Sequence, residues 1–563
     1  MPFEPLTSSH PMKTCATLGA LLFASALQAA VSTESTSKTG TQTQQPTPLA
    51  AIKAPKKTDT EKDGEKEKQP QPAAPAQTPP QKPAAAANSG AQSAAKPSAN
   101  VQSSVLRINA TTQAFDFVRP WSKKNPTTRR AIGTVVLPRA VLTTADFLAN
   151  ATYIEMESPR GDFRVPAQIV AIDYEANLAL LTPEDATGNF PFQPIELAEV
   201  KRGDSIEAVQ LEPNGNLSST KGTTAHIDVA RYWLEDQNFL VYRFSGALQI
   251  RDGSATLPVF ANNRLAGLLM RYDPASNIME CVSAPVARHF LRDVADGSYQ
   301  GFAKSGMAFS ATRDPQFRSF LKISNVKGGV YVSSILKDGP ADQAGIKKGD
   351  VITQIDGQDI DSDANYNDAN YGRISISHLI STSHQAGDIL KVEILRDGKP
   401  ISTALKPSRK PPEAHTVPPY VISKGPKFVI VGGLILQELS RQMLKEWGND
   451  WHRKAPIELL NLDRTQNESN LDIEHHVILT QIIPSELTIG YQEVNFVAVT
   501  EINGTKLRSI ADVPDALAKP IKGTHHIKLA GDPGILYLDA SKTVETTESL
   551  QKAYGIPFTS RLR

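Results

Sequence analysis

Two adjacent histidine pairs, His475-His476 and His525-His526, are the residues of this 563-residue chain that most readily invite a metal reading, because imidazole nitrogen is a common zinc ligand. Neighbours on an extended strand point to opposite faces, so a shared ion would need a particular strand pairing. Cysteine cannot complete such a site. Cys15 and Cys281 are the only two in the sequence, too few for a disulfide framework or a Cys-based zinc centre. The expectation is no metal and no cofactor, with Cys281 buried and unpaired.

The chain is long enough for about three to four domains. Hydrophobic residues make up 40% and charged residues 21%, which suits globular domains diluted by a segment that does not fold. The formal net charge is +1, so no basic field exists to attract nucleic acid. From Met12 a single lysine, an apolar run from Ala16 to Leu27 and small residues such as Ala24-Ser25-Ala26 predict an export signal over residues 1–30. The run is too short to span a bilayer, which needs about 20 apolar residues, so no membrane span is expected once the signal is cleaved. A periplasmic or otherwise exported protein follows as the expectation. Residues 31–103 are rich in Pro, Ala, Gln and Lys and carry no aromatic side chain, which predicts a solvated tether reaching roughly 45 Å on average.

Beyond Val101 the texture changes to short β-type runs between turn residues, including Ala131–Leu137, Ala140–Thr144, Ala167–Ile172 and Leu178–Leu181. They predict a barrel or sandwich up to about Ala295. The run Gly339-Pro340-Ala341-Asp342-Gln343-Ala344-Gly345-Ile346-Lys347-Lys348-Gly349-Asp350-Val351-Ile352 then reads as a short helix, a turn and a strand closed at Asp356-Gly357. That run resembles the PDZ signature of HtrA/Deg-type serine proteases. Gly133–Leu137, Val141–Ala145, Asn177–Leu181, Lys201–Ile206 and Val282–Leu291 resemble segments of the family's protease domain. Phe428–Leu434, Ile489–Gln492, Ile502–Leu507 and Tyr554–Pro557 resemble the second, atypical PDZ of the plant organellar Deg subgroup. The resemblance implies a mainly β protein: a trypsin-like double barrel over 104–298, then α+β PDZ domains over 303–408 and 417–563.

Serine proteolysis requires a nucleophilic hydroxyl, an imidazole base, an orienting carboxylate and N–H donors for the oxyanion. By the resemblance, the base should follow Thr143-Thr144-Ala145, where Asp146 stands, and the carboxylate should fall at Asn177. The nucleophile should lie in Gly253-Ser254-Ala255-Thr256-Leu257-Pro258, and counting back from Pro258 puts Ala255 at its position. A carboxylate with an ordinary pKa of about 4 is a poor base toward a serine, and an amide cannot stabilise an imidazolium. The triad positions therefore read as degenerate. A competing reading makes Ser254 the nucleophile of a rearranged endopeptidase, with His226 or His289 as a displaced base. His226 falls on a predicted strand and His289 on the closing helix, where structural roles are the simpler expectation.

A PDZ takes an extended polypeptide as an added strand and holds its terminal carboxylate on backbone N–H groups. The resemblance puts that loop and strand at Lys304-Ser305-Gly306-Met307-Ala308-Phe309, opposite a helix from Ser375 to Thr382 with Ile380 toward the groove. In the second PDZ the candidate residues are Val431, Gly432, Gly433 and Leu434, with a segment from about Ser440 to Ile473 placed to cover them. The sequence is thus expected to encode an exported pseudoprotease that binds polypeptide C-termini or unfolded proteins as scaffold, adaptor or chaperone. The alternatives are the rearranged endopeptidase and a purely structural assembly protein. A homo-oligomer, trimeric or a multiple of three, is implied by the resemblance.

Overall fold

The computed structural model describes residues 97–234, 237–249, 254–466 and 472–563. The expected export signal, the tether up to residue 96 and Gly253 lie outside the described residues. The tether boundary shifts from the expected 103, because Ala99–Ser104 is helical and capped by the Ser98 side chain. Val101 anchors that turn in the core at 2% exposure, a single apolar side chain that the surrounding Ala/Ser/Gln composition conceals.

The short strands form two closed barrels. β1 (Val105–Thr112), β2 (Thr127–Leu137), β3 (Ala140–Thr143), β4 (Ala151–Glu157), β5 (Arg164–Asp173) and β6 (Leu178–Pro183) close in the order β1-β2-β3-β6-β5-β4. Their inward positions, among them Leu106, Ile108, Val135, Val141 and Leu181, make one apolar core. β7 (Ser205–Leu211), β8 (Leu217–Arg231), β9 (Asn238–Ser245), β10 (Pro258–Ala261), β11 (Arg264–Asp273) and β12 (Ile278–Ser283) close as β10-β11-β12-β9-β8-β7. The helix Ala284–Ala295 follows, with Pro285 in its first turn and Val286, Ala287 and Phe290 buried.

The first α+β domain contains β13 (Met307–Ser310), β14 (Val330–Ile335), β15 (Val351–Ile355), β16 (Gln358–Asp359), β17 (Asn365–Asp368), β18 (Gly372–Ser375), β19 (Leu390–Arg396) and β20 (Lys399–Leu405). Its main sheet runs β13-β14-β15-β19-β20, with β16 on β15 and a separate β17-β18 hairpin, so β13 is an edge strand. The second α+β domain contains β21 (Phe428–Val431), β22 (Leu434–Glu438), β23 (Val477–Ile482), β24 (Val497–Ile502), β25 (Thr505–Lys506), β26 (Thr524–Leu529), β27 (Ile535–Asp539) and β28 (Ser560–Arg561). They run β27-β26-β24-β23-β22-β21-β28, with β25 on β24. Among the described residues no helix is long and apolar enough to cross a membrane.

These domains interlock. The β1–β2 loop of the first barrel docks on the second α+β domain: Gln437 donates to the Phe117 carbonyl at 3.1 Å, and Phe117 shares a core with Val417, Leu439, Met443, Leu459 and Leu460. The second barrel meets the first α+β domain through His289, whose Nδ1 lies 3.0 Å from the Thr382 carbonyl oxygen.

Candidate functional site

The three positions of the expected catalytic centre occupy the facing edges of the barrels. After β3 the chain enters a single 3-10 turn, Asp146–Leu148, and Asn177 accepts the backbone N–H of Asp146 at 2.8 Å. Asn177 is 2% exposed with φ +54°, a left-handed conformation that asparagine tolerates better than most residues. The guanidinium of Arg129 donates to the carbonyls of Asp146 and Phe147, and lies 4.0 Å from the Asp146 carboxylate. Asn177 therefore works as a cap for the turn that carries Asp146.

The nucleophile segment is extended. Ser254 bridges Arg130 of β2 in parallel fashion, the Ala255 N–H donates to the Arg130 carbonyl at 2.8 Å, and the Ile132 N–H donates to the Thr256 carbonyl at 3.2 Å. Thr256 is buried, with its hydroxyl 2.5 Å from that of Thr144. An oxyanion hole needs N–H groups aimed at empty space where the oxygen will develop. Here the amide at position 255 is spent on strand pairing. Asp146 and Asn177 instead border a cavity of about 340 Å³ completed by Arg231, Tyr232, Trp233, Met270 and Arg271. Ser254, Ala255 and every histidine are missing from that lining.

Both candidate bases have other settings. His289 is 1% exposed, stacks on Phe302 at 4.3 Å and is committed to Thr382; burial holds its pKa below the ordinary imidazole value. His226 is exposed on β8, paired with Arg243 of β9. Among the described residues no hydrogen bond joins either histidine to Ser254, and no group of three or more His, Cys, Asp or Glu is placed to hold a metal ion. His525 bonds Asn503 at 3.1 Å and His526 approaches the Thr524 hydroxyl at 2.9 Å, so these neighbours serve separate local contacts. Cys281 is buried and unpaired, and burial pushes its thiol up to about 12.

The groove of the first α+β domain is open. Gly306, at φ +72°, turns the chain into β13; its carbonyl accepts Leu336 N–H at 2.8 Å, and the Ser305 carbonyl accepts Ala341 N–H at 3.0 Å. A Cβ on Gly306 would stand 3.0 Å from Pro340, so the turn is also sterically tight. β13 pairs only with β14, leaving its other edge unpaired toward the helix Ile376–Ser381, which Ser375 caps. Lys304, Ser305, Gly306, Met307 and Phe309 line one cavity of about 1190 Å³ together with Ile380. All six residues expected for this groove are thus brought together.

Val431, Gly432, Gly433 and Leu434 have a different setting. They form the tight connection between β21 and β22, and the helix Thr543–Tyr554 closes over it, with the Thr547 hydroxyl accepting Gly432 N–H at 2.8 Å. β22 has β21 on one side and β23 on the other, while β28 covers the far edge of β21. Strand addition at these residues would require displacing a strand. The segment expected to cover this groove goes elsewhere: its helices Arg441–Leu444 and Ile457–Thr465 pack beside Phe117 and contribute Arg441 and Arg464 to the wall of the first groove. Sequence reading missed these two arginines and Lys410, because nothing local in sequence links them to a strand more than 100 residues away.

Two closed six-stranded barrels followed by two α+β sheets, the first with an open edge beside a short helix, define a protease-type double barrel carrying two PDZ-type modules. A PDZ-domain family model matches residues 320–406, and another matches residues 417–560. Over 468 residues the chain is 26% identical to Protease Do-like 2, chloroplastic, of Arabidopsis thaliana, covering 82% of this chain and 75% of that protein. It is also 26% identical over 342 residues to Protease Do-like 4, mitochondrial, of the same plant, covering 60% of this chain and 65% of that protein. Among solved structures, the HtrA-type protease AlgW with decapeptide aligns with a TM-score of 0.42 and 17% identity, over 56% of this chain and 97% of that one. The chain is a homologue of the Do-like, HtrA/Deg-type proteases and carries two PDZ domains.

Proposed function

We propose that this protein is a non-catalytic member of the Do-like group that binds polypeptides in the groove of its first PDZ domain, as scaffold, adaptor or chaperone. The observation carrying this reading is the set Asp146, Asn177 and Ala255 at the triad positions, with the Ala255 amide donating to Arg130 instead of facing a reacting oxygen. Loss of one central triad member costs on the order of 10⁶ in turnover in enzymes of this type, and the losses are not additive. Binding is supported by the unpaired edge of β13, the turn at Gly306 and the apolar floor of Met307, Phe309 and Ile380, a combination suited to strand addition. Export through residues 1–30 and assembly into an oligomer are part of the same proposal.

Casein and unfolded-protein degradation by the purified chain, beside its Ser254→Ala variant, tests the catalytic half. No turnover in either is the expected result. Turnover that disappears in the variant would establish an active site built on Ser254 and overturn the reading.

A further inference from the structure

The groove of the first PDZ opens into a cavity whose walls come from four parts of the molecule, the second barrel contributing Gln237 and Asn238. Besides the β13 edge and the helix Ile376–Ser381, the lining includes the connector at Arg409 and Lys410 and the second PDZ domain at Arg441 and Arg464. At about 1190 Å³ it exceeds the roughly 300–1,000 Å³ typical of small-molecule pockets and is open along a strand edge, which fits a polypeptide better than a compact ligand.

Its charge is one-sided. Three lining cations already have carboxylate partners: Lys304 lies 3.7 Å from Glu175, Arg409 lies 3.9 Å from Asp173, and Arg441 lies 2.7 Å from Asp463. Four others, Lys337, Lys348, Lys410 and Arg464, have no carboxylate within 4 Å among the described residues, and Asp338 is the one acid in the lining. Lys410 is half-buried, and its pKa is lowered first by burial and then by the neighbouring ammonium of Lys304. Lys410 thus sits beside a second ammonium in a partly desolvated wall without a carboxylate of its own, an arrangement that an incoming anion relieves. A single C-terminal carboxylate neutralises only part of this excess.

We infer that the first PDZ groove and the facing wall of the second PDZ form one composite site that selects polypeptides carrying several acidic side chains within their last few residues. The inference rests on the strand-addition reading of the groove and adds the ligand's charge and a second domain's participation. Charge complementarity of this kind raises association rate and specificity, and it weakens as salt screens it.

The test uses the full chain and fluorescein-labelled decapeptides with one apolar C-terminal residue, preceded either by Asp and Glu or by Asn and Gln. Fluorescence anisotropy at low ionic strength should show the acidic peptide binding roughly tenfold tighter, with the gap closing as salt is raised. Lys410→Gln and Arg464→Gln, separately and together, should reduce the acidic peptide's affinity several-fold, and by a larger factor than the neutral peptide's. Arg464 is exposed on the second domain, so its substitution leaves the groove itself intact. Equal binding of acidic and neutral peptides would overturn the charge selection while the groove reading stands. An acidic preference unaffected by Arg464→Gln would overturn the second domain's part. Binding of neither peptide would sink the groove reading and this inference with it.

Discussion

Asn177, the residue at the position expected for a catalytic carboxylate, has a structural role. Its side-chain oxygen accepts Asp146 N–H at 2.8 Å, and its backbone sits at φ +54°, so the residue caps one turn and relieves the strain of another. Asn177→Ala loses the cap, at about 1 kcal/mol, and forces alanine into left-handed backbone at a further cost of roughly 1 kcal/mol. Asn177→Gly loses the cap alone. Thermal unfolding should therefore rank wild type above Asn177→Gly and Asn177→Gly above Asn177→Ala; equal midpoints for all three would show that the cap carries no stability. Ala255→Ser supplies a hydroxyl at the position expected for the nucleophile, but the residue's own amide is bonded to Arg130 and no histidine lines the cavity that Asp146 and Asn177 border. Casein assays of this variant should show no turnover above background, and measurable hydrolysis would mean that a base lies closer to this segment than His226 and His289 do.

The helix Ile376–Ser381 serves two purposes at the scale of one element. One face floors the groove through Ile380; another carries His378, 4% exposed and edge-on to Tyr371, into the junction with the second barrel. Burial depresses the His378 pKa to about 4, with only Asp368 opposing the shift, and burial likewise lowers His289 across the same junction. Unfolded histidine binds a proton near pH 6.5, whereas His378 does so only near pH 4. The unfolded state therefore takes up more protons in that window, and stability falls as pH drops from about 6.5 toward 4, by at most roughly 1.4 kcal/mol per pH unit for this one group. His378→Phe should flatten the loss between pH 7 and pH 5, read as a smaller drop in unfolding midpoint. An unchanged slope would assign the acid sensitivity elsewhere. This helix was legible in advance, from Ser375 to Thr382, through the PDZ resemblance, and Ser375 caps it. So was the Gly339–Gly357 run, where proline and glycine punctuate each turn. The helix Ala99–Ser104 was not legible, since one buried valine in a stretch of small and polar residues looks like tether. Nor was the placement of the helices Arg441–Leu444 and Ile457–Thr465, whose partner Phe117 is over 300 residues away.

Those long-range contacts decide how the whole molecule holds its groove. The connector after Leu405 runs along the first barrel, with Tyr420 edge-on to Tyr174 and the Ser423 N–H on the Asn150 side chain, before the second PDZ begins. Its far end is pinned by the C-terminus: Arg561 donates to the carbonyls of Pro120 and Pro426 at 3.0 and 3.1 Å, and its guanidinium lies 5.0–5.5 Å from the ring centres of Phe115, Phe428 and Phe558. One side chain thus ties the β1–β2 loop to the strand that begins the second PDZ. Two hydrogen bonds from a charged donor and three ring contacts together are worth on the order of 3 kcal/mol in this half-buried setting. Because the second PDZ supplies Arg441 and Arg464 to the groove wall, loosening this clamp should be felt at the peptide site. Arg561→Ala should speed limited proteolysis within residues 406–427 and weaken acidic-peptide binding, with the neutral peptide unaffected. Gly425→Ala reaches the same end by another route, since a Cβ there would stand 2.0 Å from an Arg561 nitrogen and push the guanidinium out. Concordant effects of the two variants would establish that the clamp holds the wall in place; unchanged cleavage and unchanged affinity in both would show that the second PDZ is held by the Phe117 core alone.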